Sequence, residues 1–360
     1  MDHDIARWLK IASDKGASDV HLSVGKPIMV RIDGALIPLV DDSPENILHS
    51  EDTEALLGPL MNTVQMEEYK EKGEVDFAYS FKDLGRFRLN VFRGRGSMSG
   101  ALRLLPFRIP KPEELGLPQA LVDMTKKKRG LVLVTGPTGS GKSTTLASLI
   151  NILNRTTNGH IITLEDPIEY LHRSDQCVVN QREVGLDTLG YAPALRAALR
   201  QDPDIILLGE MRDLETISTA VTAAETGHLV FSTLHTIGAA ATIDRIVDVF
   251  PPHQQEQIRV QLATVLECVC SQSLLPSCDI EGGRVGAFEI MVANPAIRNL
   301  IREGKTFQIP SMMQTNKKLG MITMDDALYE LYIRQRITAE SALDFAQDYL
   351  YLSRKIGQVL

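Results

Sequence analysis

The chain has 360 residues, 44% of them hydrophobic and 23% charged, and a formal net charge of −8. This length favours two or three domains, and the composition excludes a mainly disordered protein. No apolar run approaches the roughly 18 residues of a membrane span, and the N-terminus lacks the apolar core of a signal peptide, so we expect a cytoplasmic protein. The negative charge argues against nucleic acid as the main partner, because duplex-binding domains usually carry a basic surface.

Residues 1–106 are predicted to form a small α+β domain with a mostly antiparallel sheet. Apolar residues recur at helical spacing from Ile5 to Ala12, and Gly16 is placed to end that helix. The dipeptide Asp33-Gly34 is a strong hairpin signal. Further patterns predict strands over 20–24, 28–32, 35–39, 77–79, 87–91 and 102–104, and a helical stretch over 51–72.

A proline-rich linker over 107–118 is predicted to lead into a second domain over 119–360. There, apolar strands alternate with helices, which is typical of an α/β fold whose largely parallel sheet is covered on both faces. These strands are predicted over 131–135, 161–164, 205–208 and 229–232. From Pro251 onward helices dominate, with one strand pair within 271–292. Thr323 is predicted to cap a helix and Thr338 to cap the last one.

The strand over 131–135 runs directly into the motif G-x-x-x-x-G-K-S. Its glycines let backbone N–H groups surround phosphate oxygens, and the following helix points its N-terminal dipole at the same anion. Lys142 is expected to reach the β- and γ-phosphates of ATP and the Ser143 hydroxyl to bind Mg²⁺. A glycine-rich turn that matched by chance would not need this strand-loop-helix context. The predicted nucleotide-binding residues are Gly136, Pro137, Thr138, Gly139, Ser140, Gly141, Lys142, Ser143 and Thr144.

A second feature of the nucleotide site is the acid that follows the strand over 205–208. Gly209 stands where many nucleoside triphosphatases place a magnesium-binding Asp, which leaves Glu210 at the sheet edge where ligands of open α/β folds bind. We predict that Glu210 orients and activates the attacking water and shares in the magnesium shell. The alternative is a solvated acid at the end of a strand.

Acidic and histidine residues flank two further strands. Glu165 and Asp166 follow the strand over 161–164, and either could face the water that attacks the γ-phosphate or only cap a turn. His228 and His235 bracket the strand over 229–232. We predict that they sense the γ-phosphate or a subunit boundary, although an isolated histidine is more often structural.

Four segments together resemble the secretion ATPase superfamily: GPTGSGKST, ITLEDPIEY, LLGE and TGHLVFSTLHT. Within it, ASDVHLS at 17–23 and AIRNLIRE at 296–303 are similar to the retraction ATPases of type IV pili. The resemblance covers essentially the whole chain and implies a PAS-like N-terminal domain joined to a RecA-like ATPase domain. It also implies a homohexameric ring at the inner face of the cytoplasmic membrane, which docks on a PilC-like platform protein, with a second retraction ATPase as a further partner.

Arginines are the trans-acting residues that the resemblance implies. In this superfamily arginines of the N-terminal domain reach the nucleotide, and the matching positions are Arg88 and Arg103. Strand alternation places Arg88 on the face opposite Phe87 and away from the core, as it would a solvated arginine. Arg196 and Arg200, four apart on a predicted helix, are weaker candidates.

The AIRNLIRE segment has the periodicity of an amphipathic helix. Ile297, Leu300 and Ile301 are predicted to be buried. The polar residues predicted to lie on the other faces are Arg298, Asn299, Arg302 and Glu303. They would transmit motion to a ring partner or to the platform; the alternative is that the segment is only part of the core.

The function predicted on these grounds is an ATPase motor for pilus retraction, and three alternatives stay open. A pilus assembly or type II secretion ATPase would carry a tetracysteine zinc motif, whereas the cysteines here lack paired C-x-x-C spacing and are expected to be reduced core thiols: Cys177, Cys268, Cys270 and Cys278. A RecA-like DNA translocase would show hydrolysis stimulated by nucleic acid. A non-catalytic ring subunit would not need an intact Lys142 or Glu210.

Overall fold

The computed structural model describes residues 3–32, 34–41, 43–82, 84–105, 108–279 and 283–357. Contacts within the chain divide it into two compact units. The first runs to Arg108 and includes Pro167–Leu171, and the second comprises Ile109–Asp166 and His172 onward. The predicted bounds 1–106, 107–118 and 119–360 meet at residues 106 and 107, which lie outside the described residues, so these bounds stay a prediction. Among the described residues no helix is long and apolar enough to cross a membrane.

An antiparallel sheet organises the first unit. Its strands are β1 (Asp19–Leu22), β2 (Met29–Ile32), β3 (Ala35–Pro38), β4 (Glu74–Phe81), β5 (Gly85–Gly94) and β6 (Ser97–Leu104). They lie in the order β3-β2-β1-β6-β5-β4, with antiparallel neighbours throughout. The α-helices described here are α1 (Ile5–Asp14), α2 (Ser50–Leu57) and α3 (Thr63–Lys72). Apolar side chains of one sheet face pack with these helices into a single core, as the α+β prediction requires.

Local sequence signals account for the boundaries of these elements. The Asp4 side chain accepts hydrogen bonds from the first turn of α1, and Gly16 follows the helix with a φ of 75°, which costs glycine little. In the predicted hairpin turn, Asp33 lies outside the described residues, and Gly34 has a φ of 83°. The single helical stretch predicted over 51–72 is two helices, because a 3-10 turn at Gly58–Leu60 contains a proline that cannot donate a helix hydrogen bond.

A mostly parallel sheet organises the second unit. Its strands are β7 (Gly130–Thr135), β8 (His160–Glu165), β9 (Val178–Glu183), β10 (Ile205–Leu208), β11 (Leu229–Leu234), β12 (Leu266–Pro276) and β13 (Arg284–Val292). The order is β13-β12-β7-β11-β10-β8-β9, in which β13 is antiparallel to β12 and the other neighbours are parallel. All residues of β7, β10 and β11 are buried, since helices cover both faces. The α/β fold class is confirmed.

The helices of the second unit surround this sheet. They are α4 (Pro112–Leu115), α5 (Gln119–Val122), α6 (Lys142–Thr156), α7 (Tyr191–Ala198), α8 (Leu214–Glu225), α9 (Ala239–Asp248), α10 (Pro252–Val265), α11 (Pro295–Arg302), α12 (Ile309–Thr315), α13 (Met324–Ile333), α14 (Ala339–Asp344) and α15 (Tyr349–Gly357). Leu131 and Leu133 of β7 face one core cluster, and Val132 and Val134 face another on the opposite side of the sheet.

Two strands and one helix differ from the sequence predictions. β9 was not predicted, because its residues Val178–Glu183 are mostly polar and it lies at the sheet edge, where few positions are buried. β12 begins at Leu266 rather than 271. Thr338 does cap a helix, α14, but α15 follows it. Thr323 caps α13 as predicted, accepting a hydrogen bond from the Asp326 backbone N–H.

Arg298 corrects the prediction for the AIRNLIRE segment. The stripe Ile297, Leu300 and Ile301 is buried as expected. The Arg298 side chain is only 19% exposed, however, and its guanidinium donates to the carbonyls of residues 263, 264 and 293 at 2.7–2.9 Å and to the Glu267 carboxylate at 2.8 Å. Carbonyls 263 and 264 belong to the last turn of α10, where helix carbonyls lack partners. Arg298 is therefore a C-terminal cap for α10 rather than a free surface residue.

Candidate nucleotide site

The phosphate loop connects β7 to α6 at the edge where the parallel strands end. Its backbone has a φ of 139° at Gly136, 80° at Gly139 and 88° at Gly141, a region that other residues rarely adopt. A Cβ at Gly136 would lie 2.2 Å from the carbonyl oxygen of Gln272, so this position accepts only glycine. The loop can thus turn tightly and present backbone N–H groups, together with the start of α6, to one anion.

A side chain from the neighbouring strand β12 supports this loop. The Gln272 amide donates to the Ser140 carbonyl at 2.6 Å and accepts from the Thr145 hydroxyl at 2.8 Å. Gln272 is 4% exposed, and both bonds hold the loop and the first turn of α6 in place. The sequence prediction missed this residue. The available signal was the polar run Ser271-Gln272-Ser273 inside a strand whose other residues, Glu267 apart, are apolar.

The interior of the loop suits phosphate oxygens. The Lys142 ammonium is buried and donates to the carbonyls of Gly136 and Pro137 at 2.8 and 2.9 Å, so it lies within the loop itself. The Ser140 hydroxyl is buried and has no hydrogen-bond partner among the described residues. A cation and a buried hydroxyl inside a ring of backbone N–H groups fit the phosphates of a nucleotide. Ser143 is the second residue of α6, on the same edge.

The Glu210 carboxylate is bonded from two sides. Arg212 Nη2 lies 2.7 Å from one oxygen and His235 Nε2 lies 3.3 Å from the other. Burial by itself would raise the pKa of Glu210, but the hydrogen bond from Arg212 and the charge of His235 outweigh it and hold the pKa below its usual value. Glu210 is therefore a carboxylate with two of its acceptor positions already used. Its proximity to His235 confirms that both lie at one edge; the contribution of Arg212 was not predicted.

Close packing explains why a glycine precedes Glu210. A Cβ at position 209 would lie 2.8 Å from the Tyr191 hydroxyl and 3.1 Å from the Leu164 carbonyl, so any larger residue would displace its neighbours. The Gly209 backbone also binds on both sides, donating to Leu164 and accepting from the Thr233 hydroxyl. An aspartate at this position would not fit without rearrangement.

Glu165 lies on the adjacent strand end, as the parallel register predicts. Its carboxylate accepts hydrogen bonds from the Thr163 hydroxyl at 2.6 Å and from the Gln181 amide at 3.0 Å. The alternative candidate Asp166 is exposed. Carboxylate and hydroxyl oxygens such as those of Glu210 and Ser143 are ligands that Mg²⁺ prefers. No three His, Cys, Asp or Glu side chains cluster as a metal site in the part of the chain that the structure describes.

A cavity of about 360 Å³ opens beside Glu210, between the ends of β10 and β11 and the helices α8 and α9. Its polar lining is Glu210, Arg212, His235, Thr236 and Arg245. Two guanidinium groups against one carboxylate make this lining basic.

His228 lies at the opposite edge of the sheet. It precedes β11, and its carbonyl accepts from the N–H of Gly130, the first residue of β7, whereas the phosphate loop follows the last one. β7 and β11 are parallel over six residue pairs, which at about 3.3 Å per residue puts roughly 20 Å between His228 and the loop. The ring instead bonds to the Ala223 carbonyl at 2.8 Å. The prediction that His228 senses the γ-phosphate of its own chain is therefore corrected; a subunit-boundary role stays a prediction.

The two N-terminal arginines lie in one row across the sheet of the first unit. In the pairing register Arg88 is opposite Arg103, Arg103 is opposite Asp19, and Asp19 is opposite Arg31. Arg103 donates to Asp19 at 2.7 Å, while Arg88 is exposed. Their predicted role at a nucleotide stays a prediction.

Comparison with known proteins finds close relatives over nearly the whole chain. Residues 113–337 match the family described as type II/IV secretion system protein. The type IV pilus retraction ATPase PilT of Pseudomonas aeruginosa is 49% identical over 96% of this chain and 98% of its own length. A twitching motility protein of Neisseria gonorrhoeae is 48% identical over 89% of this chain and 84% of that protein. A crystal structure of the pilus retraction motor PilT with bound ADP matches with a TM-score of 0.90 and 51% identity, covering 96% of this chain and 98% of that one.

Proposed function

Because the chain belongs to the type II/IV secretion system protein family, we propose that it is an ATPase that drives the retraction of a type IV pilus. The observation that carries this proposal is the 49% identity to a pilus retraction ATPase over almost the full length of both proteins. The phosphate loop, its supporting Gln272 and the acid Glu210 supply the chemistry that such a motor requires.

The site residues have separate tasks in this proposal. Lys142 and the loop N–H groups bind the β- and γ-phosphates of ATP, and Glu210 accepts a proton from the attacking water. Glu165, at the end of the neighbouring strand β8, helps to position this water. Mg²⁺, when bound through Ser143 and water near Glu210, would neutralise charge that develops on the phosphates.

The mechanical part of the proposal concerns assembly. We propose a homohexameric ring at the cytoplasmic face of the inner membrane, in which Arg88 and Arg103 of one subunit reach the nucleotide of another. The ring would act on a PilC-like platform protein, alone or together with a second retraction ATPase. The family membership supports these partners, and the exposed basic row on the first unit's sheet supports a role in recognising an anion.

Variants of the two central residues test the enzymatic proposal. Lys142→Ala should weaken binding of an ATP analogue by tenfold or more, roughly 1.4 kcal/mol, because it removes the cation inside the loop. Glu210→Gln should retain binding and lose about a hundredfold or more in kcat, because the amide cannot accept the proton. Calorimetry and phosphate release measure the two effects. Full turnover by Glu210→Gln would exclude its assigned role.

A cell experiment separates retraction from the alternatives. If the chain retracts pili, cells that lack it should carry pili and fail to twitch, and the Lys142→Ala gene should not restore twitching. Cells without pili would instead indicate an assembly ATPase. Hydrolysis that rises with added DNA and falls steeply with salt would indicate a translocase.

A further inference from the structure

The strand β12 carries two adjacent polar residues that face opposite sides of the sheet. Gln272 bonds to the phosphate loop and to the first turn of α6. Ser271, which is 1% exposed, accepts a hydrogen bond from the Gly238 N–H at 2.9 Å. Gly238 ends the short connection that leads from His235 into α9. One step along β12 thus joins the nucleotide loop to the segment that follows the histidine strand.

The next strand continues this connection. Glu289 in β13 is the pairing partner of Ser271, and it is only 4% exposed. Its carboxylate accepts from the N–H of Ala239 at 2.6 Å and from the N–H of Met324 at 3.1 Å. These are the first residues of α9 and α13. A carboxylate at this position satisfies N–H groups that have no partner within either helix and complements both dipoles. Burial nevertheless raises the pKa of Glu289, which the two backbone hydrogen bonds offset only in part.

Glu289 replaces a cap that α9 cannot provide. The N-cap of α9 is Gly238, which has no side chain, so the acceptor has to come from β13. The other helix that Glu289 contacts, α13, is the first of the C-terminal helices. Asp325 of α13 accepts hydrogen bonds from the backbone N–H groups of residues 347 and 348 at 2.8 and 3.0 Å. Side-chain hydrogen bonds, the pairing of β12 with β13 and neighbouring positions along the chain therefore connect the phosphate loop to the helices α13–α15.

We propose that Ser271 and Glu289 are positioning residues that transmit the nucleotide state of the phosphate loop to the C-terminal helices. A shift of β12 that accompanies phosphate binding would move Ser271 and Gln272 together, since they are neighbours on one strand. Glu289 lies on β13, which pairs with β12, and it binds the first residues of α9 and α13. Both helix N-termini would therefore move with the two strands. This inference rests on nucleotide binding at the proposed site and assigns its mechanical output to one end of α13.

Amide hydrogen exchange of the full chain tests the inference, with and without a non-hydrolysable ATP analogue and Mg²⁺. In the unmodified chain the analogue should slow exchange at 136–145, at 238–242 and at 324–328. The slowing at 324–328 should be about fivefold, the lower end of typical coupling between sites. In Glu289→Gln only the amide oxygen can accept, so the side chain can no longer hold the N–H groups of Ala239 and Met324 together, and the response at 324–328 should disappear while that at 136–145 remains. The ATP KM should stay within about twofold, because no contact to the nucleotide loop is lost.

A matched control separates transmission from loss of structure. Asp325→Asn removes a buried carboxylate that also accepts two backbone hydrogen bonds, but their donors are residues 347 and 348 in the connection between α14 and α15. It should change the baseline exchange at 324–328 and keep the response to the analogue. If Glu289→Gln does not fold, Ser271→Ala should lose the responses at 238–242 and 324–328.

The outcomes distinguish the two proposals. No protection at 136–145 in the unmodified chain would contradict the proposed function itself. Protection there without a response at 324–328, or a response that survives in Glu289→Gln and Ser271→Ala, would overturn the transmission role alone. A response lost equally in Asp325→Asn would also overturn it, because the effect would then follow from general destabilisation.

Discussion

The proposed hydrolysis requires that Glu210 be deprotonated, because its carboxylate accepts the proton of the attacking water. Its pKa is below the usual value, chiefly because the hydrogen bond from Arg212 and the charge of His235 overcome the opposing effect of burial. A base must be deprotonated to accept a proton, so a lowered pKa extends activity toward low pH. Arg212→Gln removes the charge at 2.7 Å. We predict that the pKa of Glu210 then rises and that the acid limb of kcat/KM moves to higher pH.

The pH profile of phosphate release measures this shift, because kcat/KM reports the free enzyme. Arg334→Gln is the matched control, since Arg334 is exposed and its ion pair with Glu330, at 3.6 Å, lies on the surface of α13. The control should keep the unmodified profile. An acid limb that does not move in Arg212→Gln would show that Glu210 is not the group that titrates.

At Gly209 a single added atom, the Cβ of alanine, is expected to change the stability of the protein. We predict that Gly209→Ala lowers the free energy of unfolding by about 1–3 kcal/mol, because its Cβ would lie 2.8 Å from the Tyr191 hydroxyl. Adding Tyr191→Phe should recover part of the loss. Urea unfolding measures both. Gly58→Ala is the control: its Cβ would meet nothing within 4 Å and its backbone is helical, so it should not destabilise. Equal losses in the two alanine variants would contradict the packing argument.

At the scale of elements, the junction of α10 and α11 depends on Arg298. We predict that Arg298→Ala lowers the free energy of unfolding by about 2–4 kcal/mol, since several hydrogen bonds to carbonyls and to Glu267 are lost together. Arg298→Lys should lose less, because an ammonium keeps the charge but cannot span all of these acceptors. Asn299→Ala, at an exposed position, should stay within about 0.5 kcal/mol.

This prediction changes how the AIRNLIRE segment should be tested in cells. A retraction defect in Arg298→Ala could follow from an unfolded α10–α11 junction. Asn299→Ala and Arg302→Ala alter exposed side chains and leave the cap intact. Thermal unfolding of each variant is therefore measured before the cell experiment. Only a retraction defect in a variant of unchanged stability can be attributed to a lost surface contact. A fully stable Arg298→Ala would refute the capping role.

At the scale of the whole molecule, the proposed trans-acting arginines make activity a property of the assembly. Arg88→Ala keeps its own phosphate loop and Lys142→Ala keeps its own arginines, so each variant alone should be nearly inactive. We predict that mixing the two restores hydrolysis, because some interfaces combine an intact loop with an intact arginine. Phosphate release from mixtures of known ratio measures this. Activity equal to the sum of the separate variants would exclude a trans role for Arg88.

The control for this experiment is a mixture that cannot form such an interface. Chains that carry both Arg88→Ala and Lys142→Ala, mixed with Lys142→Ala alone, have no intact loop and should stay inactive at every ratio. Arg103 is a weaker choice for the same experiment, because Asp19 of its own chain already binds it at 2.7 Å. Its replacement would alter the sheet as well as any contact across subunits.

Much of the nucleotide site could be predicted because its determinants are local. The glycines, Lys142 and Ser143 act through backbone geometry and a helix end that near neighbours specify. Glu210 and His235 could be placed at one edge because parallel strands end together. His228 lies at the far end of its strand from the loop in the parallel register of β7 and β11, so of its two predicted roles the one at a subunit boundary stays a prediction.

The sequence by itself determined the phosphate loop, the four apolar strands at the centre of the parallel sheet and the family to which the chain belongs. Only the tertiary structure decided which side chains distant in the sequence support the site and join the helices around it. Gln272 reaches the loop from more than a hundred residues away, Arg298 caps a helix that ended some thirty residues earlier, and Glu289 joins α9 to α13. Such contacts leave no periodicity or motif, because they depend on which strands and helices become neighbours rather than on adjacent residues.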